Sequence, residues 1–453
     1  MNDTICAIAT SVGNGAISII RVSGEKSISI VNSIFKGKDL TNVESHTINY
    51  GFIVDNDITI DEVLVSVMKA PKTYTMENVV EINTHGGIAP TNQVLQLLLK
   101  KGCRLADPGE FTKRAFLNGR IDLIEAEAVM DKINAQTEIQ NKLANNNLSG
   151  KVSNLINSLR DDMIQIISNI NVNIDYPEYD DVDVITNEIL IPKITNLKNR
   201  INTILKESKN GKLIKEGIKT SIIGRPNVGK SSLLNELLEE DKAIVTEIAG
   251  TTRDIVEGQI NINGILLNII DTAGIRKTND LVESIGVEKS IKMMEESDLI
   301  LFMLNNNEEI KEDIKQLLDK INNKNYLIII NKTDLDSKLD LSNLNINENK
   351  IIKMSIKNHQ GIEELKNKII ELFNINEIES KDPTYLSNAR SIGILESCLN
   401  DINDIEQGIN NGETIDMLEL DIRSIWEKLG QINGTSYEDE LLDEMFKRFC
   451  LGK

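Results

Sequence analysis

The sequence predicts a multidomain protein that joins α/β and all-α parts, and three observations carry that expectation. Its 453 residues exceed what one core organises, and length alone suggests about three domains. From about Lys219 to Phe373 short apolar runs alternate with helical stretches, the texture of a parallel α/β sheet. On either side of that segment apolar residues recur at three- and four-residue steps, the period of amphipathic helices.

The elements follow in order. Residues 1–118 read as mixed α/β: Ala16 to Val22 and Val63 to Met68 have strand character, Val94 to Leu99 belongs to a helix, and Pro71, Gly86-Gly87 and Pro108-Gly109 punctuate them. Leu148, Val152, Leu155, Leu159, Met163, Ile166 and Ile170 then mark one amphipathic helix, interrupted by Pro177 and the acidic run Glu178 to Asp183. A further helical stretch spans Ile191 to Lys209. Strands return at Thr220 to Ile223, and Asn263-Gly264 between two apolar runs signals a tight hairpin. After Asp382-Pro383 the chain is helical again, with Leu441, Leu442, Met445, Phe446 and Phe449 on one helix face. The economical arrangement is an α/β domain (216–377) inserted into a helical domain in two parts (119–215 and 378–453), after an N-terminal domain (1–118); separate helical domains are the alternative.

Composition narrows the classes. No apolar run approaches the roughly 18 residues of a spanning helix, and MNDTICAIAT lacks the basic-then-apolar pattern of an export signal. Cys6, Cys103, Cys398 and Cys450 are scattered, which suits reduced thiols in a cytoplasm. The formal charge of −20 disfavours non-specific binding along a phosphate backbone. Residues 1–118 hold 11 Lys+Arg against 12 Asp+Glu, so the acidic excess lies further along the chain, and nucleic acid would need a local basic face or a basic partner.

The chemistry is carried by four ordered elements, each at the carboxyl end of an expected strand, where doubly wound folds bind ligands. Gly224 to Ser231 reads GRPNVGKS, a phosphate loop before the helix Ser232 to Leu238. Its backbone N–H groups and helix N-terminus favour phosphate, Lys230 reaches the β and γ phosphates, and Ser231 ligates Mg²⁺. Gly250 to Asp254 (GTTRD) lies where a first switch supplies a Mg²⁺-ligating threonine, Thr252. Asp271, Thr272, Ala273 and Gly274 follow the strand Leu266 to Ile270, the acidic residue holding Mg²⁺ through water. Asn331-Lys332-Thr333-Asp334 follows the strand Tyr326 to Ile330, where the Asp334 carboxylate accepts both N–H groups of a guanine edge; Ser355 completes the base pocket. Together with Asn227, Val228, Gly229 and Ser232 these residues define an expected GTP site on a Ras-like P-loop G domain. Many such enzymes place a water-orienting glutamine directly after the glycine of this DxxG element; here that position and its neighbour are Ile275 and Arg276. Glu283 is a candidate to orient water, or simply a solvated capping carboxylate, and Asn227 alone reads equally as a turn residue.

GRPNVGKSS, IVTEIAGTTRD, DTAGIR, NKTD and the final Cys450-Leu451-Gly452-Lys453, with DTICAIAT, AISIIRVSG, TYTMENVVEINTHGG and DPGEFTKRAFLNGRIDLIEAEA, resemble the MnmE/TrmE tRNA-modification GTPases along essentially the whole chain. That resemblance implies a folate-binding-like, dimerising N-terminal domain and a potassium ion beside the phosphates, standing in for an arginine finger when two G domains meet. It assigns K⁺ to the Asn227 side chain with Thr246, Ile248 and Thr251, and places Glu247, Ala249 and Gly250 on the same nucleotide-facing stretch. It aligns Glu283 with a water-orienting glutamate. It also implies a formyl-tetrahydrofolate contacted by Arg21, Glu81, Arg120 and Lys453; arginine at 120 replaces a lysine found in many members, which keeps charge and changes geometry. Cys450 is either a chemically active thiol or a small apolar helix residue, and His85 reads as a turn residue rather than a base. The implied function is K⁺-activated GTP hydrolysis that serves modification at C5 of the tRNA wobble uridine. The implied partners are an FAD-dependent MnmG/GidA-type protein, tRNA and a second copy of the chain. The competing class is a ribosome-assembly or regulatory GTPase that transforms nothing, although such proteins tend to append a basic RNA-binding module.

Overall fold

Period-two alternation builds the first sheet. The computed structural model describes residues 3–175, 187–240, 256–270, 286–310, 312–321, 324–341, 346–376, 385–437 and 439–452. The chain divides into two units, one of residues 1–130, 147–198 and 394–453, the other of 131–146 and 199–393.

In the first unit, β1 (Ile5–Ile8), β2 (Ile17–Ser23), β3 (Phe35–Gly37), β4 (Thr47–Asp55), β5 (Ile58–Met68), β6 (Val79–His85) and β7 (Arg104–Leu105) form one sheet in the order β3-β4-β5-β6-β2-β1-β7. Val63, Val65 and Val67 of β5 point inward, where α1 (Ser27–Asn32) and α2 (Ile88–Lys100) supply Ile28, Val31, Val94, Leu97 and Leu98. β2 and β6 pair antiparallel with Arg21 directly opposite Glu81. Along the chain follow α3 (Glu110–Leu117), α4 (Leu123–Asn134), α5 (Glu138–Leu148), α6 (Lys151–Asp175) and α7 (Asn187–Glu216), of which residues 131–146 and 199–216 belong to the second unit. The expected helix through Leu148 is two helices: α5 ends at Leu148, Gly150 turns at φ 76°, and α6 buries Val152, Leu159, Met163, Ile166 and Ile170. The break follows from the left-handed glycine, and the apolar phase continues across it. Pro177 and Glu178 to Asp183 lie outside the described residues.

The second unit carries a six-stranded sheet of β8 (Ile218–Gly224), β9 (Val256–Ile262), β10 (Ile265–Ile270), β11 (Leu299–Asn305), β12 (Asn325–Asn331) and β13 (Ile351–Lys353), in the order β13-β12-β11-β8-β10-β9. All neighbours are parallel except the β9–β10 hairpin, whose turn residues Asn263 and Gly264 have φ of 47° and 85°. β11 is buried at every position, as a strand covered on both faces must be. Its flanking helices are α8 (Lys230–Glu240), α9 (Gly286–Glu296), α10 (Glu312–Ile321) and α11 (Ile362–Leu372). The chain closes with α12 (Ala389–Asn411), α13 (Ile415–Asn433) and α14 (Asp439–Phe446). Leu442 and Phe446 of α14 are buried with Phe116 and Leu123, and Phe449 joins them from beyond the helix. Among the described residues no helix is long and apolar enough to cross a membrane.

A buried charge network ties the first unit together. Arg114 on α3 is 1% exposed and donates to Asp3 Oδ1 at 2.7 Å, Glu77 Oε1 at 3.1 Å and Glu110 Oε1 at 3.1 Å, while Arg104 also holds Asp3 and Glu110. Burial pushes the carboxyls of Asp3 and Glu110 up, but the two guanidiniums outweigh it and hold both below the usual carboxylate range. A lowered carboxyl pKa stabilises the fold above the unfolded value, about pH 4, and that contribution disappears as pH falls through the folded values. Arg114→Met is therefore expected to cost the first unit about 3 kcal/mol near pH 7, and the difference from wild type should narrow below about pH 4. Urea unfolding followed by the fluorescence of Trp426, on α13 within this unit, measures both.

Candidate functional site

The phosphate loop leaves β8 at Gly224, where a side chain would meet the Met303 carbonyl oxygen at 2.5 Å. Asn227 takes a left-handed φ of 62°, which asparagine tolerates well, and Gly229 has φ 103°. α8 then starts at Lys230. The Lys230 ammonium donates to the carbonyls of Gly224 at 2.7 Å and Arg225 at 2.9 Å, and burial pushes its pKa down. A cation closed over its own loop, on a helix N-terminus, makes a site of high anion affinity.

The NKTD turn stands beside this loop and is tied to it. Asn331, the buried last residue of β12, donates through Nδ2 to the Val228 carbonyl at 2.8 Å and accepts from the Ile356 N–H at 3.3 Å. Lys332, at φ 63°, donates to the Asn227 carbonyl at 2.9 Å. Ser355, buried after β13, donates to Asp334 Oδ1 at 2.7 Å; this hydrogen bond, with the charges of Lys357 and Lys332, holds the exposed carboxyl of Asp334 below the usual range. An ionised, oriented carboxylate is the acceptor that the two N–H groups of a guanine edge require. The structure thus brings together Asn227, Val228, Gly229, Lys230, Ser231, Ser232, Asn331, Lys332, Asp334 and Ser355 on adjoining loops. Thr246, Glu247, Ile248, Ala249, Gly250, Thr251, Thr252, Asp271, Thr272, Ala273, Gly274 and Glu283 lie outside the described residues. β10 ends at Ile270, immediately before Asp271. The hydroxyl of Ser231 is a hard oxygen donor of the kind Mg²⁺ takes.

A second cluster lies in the first unit. Arg21 Nε donates to Glu81 Oε1 at 2.8 Å, its NH1 donates to the Gly452 carbonyl at 3.2 Å, and its guanidinium lies 5.4 Å from the Tyr74 ring and 5.6 Å from Phe111. Arg120 stacks on the same tyrosine at 4.7 Å and donates to its carbonyl at 3.0 Å. The Tyr74 hydroxyl pairs with Thr112 at 2.8 Å. Gly452, at φ 87°, packs where a side chain would reach the Ile8 carbonyl at 2.4 Å, and the Cys450 carbonyl accepts from Gly109 N–H at 3.2 Å. Cys450 is exposed and outside any helix, so the helix-residue reading of it does not hold. Lys453 lies outside the described residues. Tyr74 and Phe111 received no role from the sequence, because an aromatic in a turn or on one helix carries no chemical signature until its neighbour is known. His85 ends β6 rather than a turn, and its imidazole, paired with Asp61, has a raised pKa.

A phosphate loop and an NKTD turn on a doubly wound sheet, with a carboxylate set for guanine, define a P-loop GTPase. Known proteins carry that class further. The model described as "MnmE helical domain" matches residues 123–450, and "GTP-binding protein TrmE N-terminus" matches residues 4–120. Proteins named tRNA modification GTPase MnmE from Bacillus cytotoxicus and Bacillus mycoides are each 52% identical over 455 aligned positions, covering 100% of this chain and 99% of theirs. The chain belongs to the MnmE/TrmE family of GTPases. Among solved structures, Era bound to MgGDPNP and 16S ribosomal RNA is 28% identical over 34% of this chain and 56% of its own, with a TM-score of 0.23. The T. maritima FeoB G domain is 25% identical over 34% and 98%, with a TM-score of 0.25.

Asp334→Asn replaces one acceptor with a donor, which mismatches the guanine N2 amino group and matches the C2 carbonyl of xanthine. Competition of GTP and XTP against a fluorescent guanine nucleotide should show loss of GTP affinity by about 100-fold and a gain for XTP.

Proposed function

We propose that this protein hydrolyses GTP in the service of tRNA modification in the cytoplasm. Acting with an FAD-dependent MnmG/GidA-type partner, it installs an aminomethyl or carboxymethylaminomethyl group at C5 of the wobble uridine, with one carbon drawn from a folate. The observation that carries this reading is the coexistence, on one chain, of the nucleotide cradle and the Arg21–Glu81–Gly452 cluster, which a pure switch has no use for. Four segments divide the work: 1–118 for folate and dimerisation, 119–215 and 378–453 for the helical part, and 216–377 for GTP.

The donor chemistry of the second cluster fits a folate. Glu81 offers a carboxylate to a pterin edge, Tyr74 and Phe111 offer aromatic faces, and Arg21 and Arg120, with Lys453, suit the carboxylates of a glutamate tail. Cys450, exposed beside this cluster, is the thiol available to the carbon chemistry. In the nucleotide site Lys230 and the loop N–H groups neutralise phosphate charge, Ser231, Thr252 and Asp271 hold Mg²⁺, and Glu283 orients the attacking water. Asn227, with Thr246, Ile248 and Thr251, would hold a K⁺ ion, which would supply positive charge beside the phosphates. GTP turnover then drives opening and closing of G domains in a homodimer rather than the carbon chemistry.

Two measurements test this. Nucleoside mass spectrometry of bulk tRNA should show the C5-aminomethyl-type uridines vanish with the gene and return with wild type but not with Lys230→Ala; removal of residues 451–453 should also fail to restore them while leaving GTP turnover intact. An unchanged tRNA profile with disturbed ribosome profiles would replace this reading by the assembly switch. Separately, replacing K⁺ by Na⁺ should lower GTP turnover by about tenfold or more, and Asn227→Ala should remove the difference.

A further inference from the structure

Residues 355–361 form a closed loop, since Ser355 and Gln360 exchange backbone hydrogen bonds at 3.1 Å in both directions. Two ties already described fix its first half, Ser355 to Asp334 and the Ile356 N–H to Asn331. Its far end is His359, left-handed at φ 52° and ψ 40°, whose Nδ1 pairs with Glu236 Oε1. Glu236 lies on α8, the helix that begins at Lys230 and carries Ser231 and Ser232. Its carboxylate is only 12% exposed while the imidazole above it is 74% exposed, so the histidine covers an otherwise shielded anion. Glu236 is six residues from Lys230, about 9 Å along the helix axis.

We infer that His359 is a positioning residue for guanine-nucleotide retention, fastening the base-side loop to the helix that carries the phosphate-side groups. The inference rests on the GTP site and deepens it. Asn331 joins the two halves of the site at the phosphate loop, and the His359–Glu236 pair joins them again further along α8. With both ties made, the loop bearing Ser355 cannot lift from Asp334 without also breaking the contact to α8. Loss of the pair frees the loop to open and release the base, and leaves Lys230 and the phosphate loop untouched. The effect therefore falls on nucleotide dissociation and KM, and turnover at saturating GTP stays as it was.

The substitutions must respect the backbone. Alanine at 359 adds left-handed strain of its own, whereas glycine removes the side chain without it and asparagine both tolerates that conformation and keeps a donor. The experiment is stopped-flow release of a fluorescent GDP from the full chain, with GTP turnover in parallel, at a temperature where circular dichroism shows each variant folded. His359→Gly and Glu236→Ala should each speed release about fivefold, with kcat within about twofold of wild type. The double variant should release no faster than either single one, because both remove the same contact. His359→Asn should recover most of the wild-type rate. Release unchanged in both single variants, multiplicative effects in the double, or a fall in kcat equal to the rise in KM would each overturn the inference.

Discussion

One carboxamide governs the nucleotide site. Asn331 gives its N–H to the phosphate loop and takes the N–H of the base-side loop, and it does so buried, at 4% exposure, where an unpaired amide is costly. Its position is inherited from β12, buried between β11 and β13. The Val/Ile/Leu core fixes the strand, the strand fixes the amide, and the amide joins two loops that each bury one core residue, Val228 and Ile356. Gly229 belongs to the same constraint: a Cβ there would lie 2.4 Å from the Asn331 nitrogen, so the close approach of loop and turn exists only with glycine.

The first unit solves the same positioning problem with charge. Arg21 and Glu81 face each other as a cross-strand pair, so their geometry is set by sheet register rather than by side-chain freedom. Arg114 and Arg104 gather Asp3, Glu77 and Glu110, and the same Glu77 accepts from Ser23, the last residue of the strand that bears Arg21. Tyr74 lies against both Arg21 and Arg120, which it orders without a formal charge of its own.

Legibility in the sequence followed the physics of each part. β11 and β12 of the second sheet are buried on both faces and read as short apolar runs, and Asn263-Gly264 announces its hairpin because only such residues adopt two successive positive φ values. The first sheet was readable only at Ala16–Val22 and Val63–Met68. Ile48, Tyr50 and Leu64 point outward from β4 and β5, so polar–apolar alternation is blurred where it should be clearest. The break at Gly150 was hidden because the apolar phase of α5 continues into α6. The loops of the nucleotide site were visible as motifs, since their chemistry demands particular residues at fixed spacing. Neither Tyr74 nor the His359–Glu236 pair obeys such a rule, and a contact across 123 residues leaves no local trace.

The first unit is drawn from segments 1–130, 147–198 and 394–453, and Arg21 meets a carbonyl 431 residues away. During synthesis the long stretch 199–393 emerges whole before the last of these segments does, so the GTP-binding core has its pieces available while the first unit still waits for its last segment. Closing so distant a contact costs entropy that grows only logarithmically with separation, so the delay is one of order rather than of stability. A newly made chain thus passes through a stage in which it holds a complete phosphate loop and an Arg21–Glu81 pair still without its Gly452 carbonyl, and nucleotide present in the cell meets it in that half-built form.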